Sequence, residues 1–233
     1  RDAAGRIWVA GISFDPRESG SHAASRWLLA QGDVSMRGGT VRWLDDMNQA
    51  PALDFHDVAF RLRNNGRRHR AALLATPPPA LASTIDLRAE FSHRLFETRP
   101  KDMTRWRGTV YGNTDFIDLL EWRAWLPLPA TVLNGYGALR GWADFRDGRV
   151  HHVLAGVALH DLDLQLAGGQ PALPLRDIVA RVDAGKDASG HRVTLTDPQV
   201  RIGAGEVMTP GTVAASYTAD TDAGELRVPM MSL

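Results

Sequence analysis

The residues with the plainest chemical reach are His151-His152 followed by His160-Asp161, types that bind zinc when three or four converge. Their spacing argues against a metal. Neighbours on an extended strand point to opposite faces, so His151 and His152 do not share an ion. His160 recurs as His56 and as Arg176 in a repeated pattern, which marks a structural or solvent-facing position. Asp57, Asp161, Asp177 and Asp197 are the candidates for paired-carboxylate catalysis. Each falls at the same place in that pattern, which assigns them to hydrogen bonding at a bulge or turn instead. The chain contains no Gly-rich phosphate loop, no Gly-x-Ser-x-Gly and no His-Glu-x-x-His. The expectation is no catalytic residue, no metal and no cofactor.

Arg61, Arg63, Arg67, Arg68 and Arg70 flank Asn65-Gly66. They read as a solvated hairpin tip, with contact to anionic lipid headgroups or to a partner as the alternative. No aromatic residues interleave them, and Lys plus Arg balance Asp plus Glu at 27 each. Nucleic acid is therefore not an expected partner.

The element that must position these residues is the repeat itself. Val157 to Leu166 and Leu173 to Val182 carry it in tandem, Leu53 to Leu62 carries it upstream, and a worn copy starts at Val193. The rule is apolar, any, apolar, His or Arg, Asp, apolar, three residues, apolar. Leu53 and Phe55 fall on odd numbers, whereas Val58, Phe60 and Leu62 fall on even ones. A regular strand alternates with period two, so the shift would send half the apolar set to the wrong face. One extra residue in a bulge or bend at Asp57, Asp161 and Asp177 returns both halves to one face.

The chain of 233 residues is long enough for a large β domain. It has no cysteine, which suits the cytosol or a periplasm. It begins at Arg1, which suggests a piece of a longer protein; it reads as one segment over residues 1–233, with a possible break only at Pro77-Pro78-Pro79. Strand candidates include 6–12, Val34 to Met36, Val41 to Trp43, Ala71 to Ala75, Thr84 to Phe91, Trp106 to Tyr111, Gly137 to Phe145 and Val150 to Gly156. Hairpin turns are expected at Gly38-Gly39, Asn65-Gly66 and Asp147-Gly148. Two helices are expected, one from Ser21 to Gln31 and one from Asp115 to about Trp125. The fold class is mostly β: a long, antiparallel, twisted and open groove-like sheet with two helices.

Several stretches resemble the YhdP-type branch of the AsmA-like superfamily. They are Trp27-Leu28-Leu29-Ala30-Gln31, Gly39-Thr40-Val41-Arg42-Trp43-Leu44-Asp45, Leu53-x-Phe55-x-Asp57-Val58, His69-Arg70 and Ala75-Thr76-Pro77. Trp122-x-x-Trp125-Leu126-x-Leu128-Pro129, Gly135-x-Gly137-x-Leu139-Arg140-x-Trp142 and Gly148-Arg149-Val150 follow in order, so the likeness runs from about Ser21 to Val182. The resemblance implies a taco-like β-groove with an apolar interior. It implies large proteins, anchored in the bacterial inner membrane, that cross the periplasm and move phospholipid toward the outer membrane. The partners it implies are phospholipid acyl chains and the rest of a longer chain or other envelope proteins.

The residues agree with that expectation. The apolar sets Val34/Met36, Leu53/Phe55, Val58/Phe60/Leu62, Val157/Leu159, Leu162/Leu164/Leu166 and Leu173/Leu175 are expected to line one concave face. Trp122 and Trp125 are candidates for its mouth. A scaffold whose apolar face is packed by its own helices, and a carbohydrate-active β domain, are the alternatives.

Overall fold

The computed structural model describes residues 1–3, 6–9, 12–14, 23–93, 106–126, 132–147, 149–165, 171–187, 190–205, 207–208, 211–218 and 223–227. Two short strands, β1 (Ile7–Val9) and β2 (Ile12–Phe14), pair with each other, and one α-helix, α1 (Ala23–Ala30), follows. The rest is one antiparallel sheet. Its strands are β3 (Asp33–Asp45), β4 (Ala50–Asn65), β5 (Arg68–Thr76), β6 (Ile85–Ser92), β7 (Arg107–Asp118), β8 (Val132–Arg146), β9 (Arg149–Leu164), β10 (Leu173–Asp187) and β11 (Gly190–Ile202), then β12 (Val207–Met208), β13 (Val213–Thr218) and β14 (Ala223–Arg227). From β3 to β11 each strand pairs with its predecessor in the chain. β13 and β12 both pair with β11, β14 closes the order, and the sheet stays open, with β3 and β14 at its edges. Pro77–Pro79 lies in the connection between β5 and β6, which are neighbours in this sheet.

The repeat parity has the cause expected of it. Asp57, Asp161 and Asp197 all have positive φ, at 49°, 46° and 46°, the left-handed region that Asp tolerates better than most residues. At each, the ladder to a neighbour slips by one residue: between His56 and Ala59 on β4, between the Asn134 and Tyr136 pairs opposite β9, and between the Val179 and Arg181 pairs opposite β11. Asp177 keeps ordinary φ but adjoins a slip between Leu175 and Asp177. The extra residue turns Val58, Phe60 and Leu62 to the same side as Leu53 and Phe55.

Two expectations are corrected. Gly38-Gly39 is not a hairpin: β3 runs straight through it, and Gly38, at φ 64°, supplies a bulge facing the one at Asp57, so the two strands stay in register. The second helix is absent. Asp115 to Asp118 extends β7 along β8, and only a 3-10 turn follows, at Glu121–Ala124. The Asp118 carboxylate accepts from the backbone N–H groups of Leu120 and Glu121 at 2.9 and 3.1 Å, which holds that single turn. The Ser83 hydroxyl accepts from the N–H groups of Asp115 and Phe116, the Ser83 N–H donates to the Phe116 carbonyl, and Ile117 and Asp118 pair with β8, so this backbone is held extended rather than helical. The first expected helix is α1, whose expected cap Ser21 lies outside the described residues; the carbonyls of Leu28 and of Gln31, just past its end, accept from the Asn64 side-chain amide at 2.9 and 2.6 Å.

Candidate functional site

Ladder partners share a face, so the register assigns every side chain. Starting from Leu62, one face collects Val34, Met36, Val41 and Trp43 on β3, and Leu53, Phe55, Val58 and Phe60 on β4. It continues through Leu73 on β5, Leu87 on β6, Val110 on β7 and Leu139 on β8. Val157, Leu159 and Leu162 on β9, and Leu175, Ile178 and Ala180 on β10, complete it. The other face carries Arg42, Asp54, Arg61, Arg70, Arg88, Glu90, Asp144, His152, Asp177 and Arg201. The two sides differ in enclosure as well as chemistry. Along β8 the apolar side is buried or half-buried at Gly135, Gly137, Leu139, Gly141 and Ala143, while Tyr136, Arg140, Trp142 and Asp144 are exposed. The described strands pack against their ladder neighbours, with no second layer of described residues packed on the middle of the apolar face. We call it the inner face.

Both ends of the inner face over β4 to β7 are stopped. At one end the connection after β5 and the turn after β7 fold over it, burying Leu53, Leu81, Ala82 and Trp122 against Trp43, Phe55, Ile85, Ile117 and Trp125. The Trp122 indole N–H donates to the Leu81 carbonyl and that of Trp125 to the Pro51 carbonyl, both at 3.0 Å. At the other end His69, Phe91 and Trp106 stack with centroids 5.0 to 5.3 Å apart. His69 is 3% exposed, and its Nδ1 donates to the Asn64 side-chain oxygen at 2.7 Å, because the Asn64 nitrogen is already spent on α1. Its Nε2 has no hydrogen-bond partner. Burial, and then the charge of His93, push its pKa below the ordinary value. Between the stops, Leu87 and Val41 remain about 39% and 40% exposed, an apolar floor that water can reach.

The outer face is laced by ion pairs between strands: Arg42–Asp54 at 2.7 Å, Arg61–Asp33 at 2.6 Å and Arg70–Glu90 at 3.0 Å. The bonds from Arg61 and Arg42 hold the Asp33 and Asp54 carboxyls below their usual range. The tandem repeats clasp each other there. Because β9 and β10 run in opposite directions, the His160-Asp161 pair meets Arg176-Asp177 reversed: His160 contacts Asp177 at 2.8 Å and Arg176 contacts Asp161 at 3.0 Å. Arg201 adds a second contact to Asp177 at 3.1 Å. The histidine and aspartates that looked chemical are thus stitches between bulges. His152 lies 2.9 Å from Asp183, and no three metal-binding side chains converge among the described residues.

Of the residues read from the sequence as groove-lining, Val34, Met36, Leu53, Phe55, Val58, Phe60, Leu62, Val157, Leu159, Leu162, Leu173 and Leu175 share the inner face through the ladders. Leu164 pairs with Leu173 through its backbone; its side chain and the whole of Leu166 lie outside the described residues. Trp122 and Trp125 form the stop at one end rather than standing on a helix. Sequence reasoning missed Leu73, Leu87, Val110 and Leu139, which the alternation of Thr84 to Phe91 and the ladders to it could have supplied. The family described as YhdP protein matches residues 6–233. No curated protein and no solved structure matches the chain.

Proposed function

Because this chain belongs to the YhdP protein family and its described residues leave a long apolar face without a second layer, we propose that it is a non-enzymatic, lipid-binding segment of a conduit. In that reading phospholipid moves from the inner to the outer membrane of a bacterial envelope, and this segment lies in the periplasm within a protein anchored to the inner membrane. The observation that carries it is the uncovered middle of the inner face. An apolar surface that size is a liability unless something occupies it. A sixteen-carbon acyl chain laid there gains roughly 10 kcal/mol gross from burial, before ordering costs. The clasped aspartates and histidines hold the trough in shape and ask for no reaction.

Leu87 and Leu74 make a matched test. Both are about 40% exposed and on adjacent strands, but Leu87 is on the inner face and Leu74 on the outer. We expect Leu87→Asp to lower lipid recovered from detergent-free preparations at least tenfold by mass spectrometry. Leu74→Asp should leave it unchanged, and both variants should keep the parent's melting temperature within a few degrees. A folded Leu87→Asp protein that carries as much lipid as the parent, or a parent that carries none, would sink the reading in favour of a scaffold.

A further inference from the structure

Four outer-face arginines sit in one continuous row at one end of the sheet. Arg68 pairs with Ser92, Ser92 with Arg107, Arg107 with Arg146, and Arg146 with Arg149, across five consecutive strands. Facing residues in such ladders stand about 5 Å apart, and like charges directly opposite destabilise a sheet. Elsewhere on this face directly facing arginines are matched: Arg63 and Arg70, which also face each other, have Asp33 at 3.5 Å and Glu90 at 3.0 Å, whereas Arg140 bonds only the Asn113 side chain and Arg181 stands singly among the described residues. The four in the row are exposed and make no ion pair among the described residues. The nearest carboxylates are engaged, Glu90 with Arg70 and Asp144 with the Thr109 hydroxyl at 2.6 Å; Asp147, in the turn between Arg146 and Arg149, makes no ion pair with the row. Folding stability does not favour a row that no described residue neutralises.

Its surroundings say what would neutralise it. A hollow of about 600 Å³ lies against Arg68, Ser92, Arg107 and Arg146; Glu90 and Asp144 also line it, the first engaged by Arg70 and the second by the Thr109 hydroxyl, which leaves the Ser92 hydroxyl beside the arginines. Guanidinium forks and hydroxyls suit the oxygens of a phosphate. One residue further in, on the opposite face, Phe91 and Phe145 flank Gly108; Phe91 belongs to the stack that stops β4 to β7, while Phe145 on β8 lies beside it, so the apolar floor meets the row at β8 and β9. An amphiphile draped over this lip would place its phosphate on the arginines and its chains inside.

We propose that Arg68, Arg107, Arg146 and Arg149 are a headgroup rail, a site for the phosphate of phospholipids whose acyl chains lie on the inner face. The inference rests on the lipid reading and adds to it the side chains that hold the phosphate: a phosphate-bearing headgroup is gripped at this lip, and neutral counterparts are not. The test compares the chain with its R68Q/R107Q/R146Q/R149Q variant, using phosphatidylglycerol, diacylglycerol with the same acyl chains, and free glycerol phosphate. Expected results are an at least tenfold loss of phosphatidylglycerol capture, unchanged diacylglycerol capture, and a melting temperature equal to or above the parent's, since the like-charge contacts are relieved. Equal phosphatidylglycerol capture by parent and variant, with diacylglycerol still bound, overturns the rail and leaves the lipid reading standing. A parent that takes up neither lipid overturns both. Glycerol phosphate bound as tightly as phosphatidylglycerol makes the row a free-anion site and overturns its assignment to lipid.

Discussion

Asp57 occupies the left-handed region at a strand bulge, exposed and without an ion pair among the described residues, so its backbone can be tested without disturbing a contact. Glycine adopts that conformation freely, whereas a β-branched residue does not. We expect Asp57→Gly to change stability by less than about 1 kcal/mol and Asp57→Val to cost about 2 kcal/mol in urea denaturation. His69 gives a second residue-level expectation. Its folded pKa lies below the ordinary 6.5, so the unfolded chain takes up protons that the folded one refuses. Its contribution is complete above pH 6.5 and is lost as pH falls below it, with a slope of at most about 1.4 kcal/mol per pH unit. His69→Phe should flatten that part of the stability profile; an unchanged slope would assign the titration elsewhere. The bulge at Asp57 was legible in the odd-to-even shift of apolar residues. The isolation of His69 was not, because Asn64, Phe91 and Trp106 meet it only after four strands have aligned.

At the scale of elements, the sequence misleads where local pattern and ladder compete. Phe116, Leu119, Leu120 and Trp122 have helical spacing, but Asp115 to Asp118 is claimed by β8 and the Ser83 hydroxyl, and only one turn survives. Gly38-Gly39 has the composition of a hairpin turn and serves as the counter-bulge to Asp57. The repeat units, by contrast, were read correctly because parity survives any tertiary context. Gly137 shows how tightly β8 and β9 approach: a Cβ there would fall on the Ala158 carbonyl oxygen, and φ is 156°. Gly137→Ala should therefore cost about 3 kcal/mol in a denaturant titration, far more than a methyl on an exposed strand. Trp122→Ala, which empties the stop at one end and removes one of the two donors to the Leu81 carbonyl, the other being the Asp118 N–H, should cost about as much.

For the whole molecule, the open sheet expected from the family resemblance has two edges, β3 and β14. Unpaired strand edges recruit other strands. Concentration-dependent association is expected in sedimentation velocity, and a strictly monomeric chain at high concentration would mean the edges are covered. The arginine row was invisible in the sequence because its members, from Arg68 to Arg149, become neighbours only through four successive ladders. The unbroken run of chain-adjacent strands from β3 to β11 has one further consequence. Each strand advances the sheet by about 4.8 Å, so reach is counted in strands. Adding a single strand would reverse every strand after it, exchanging one lip for the other and breaking the arginine row into halves on opposite sides. Adding two preserves the direction of all the rest. A trough built this way can lengthen or shorten only in whole hairpins, in steps of about 10 Å. Changes in its length are therefore counted in even numbers of strands, set by the requirement that both lips keep their chemistry.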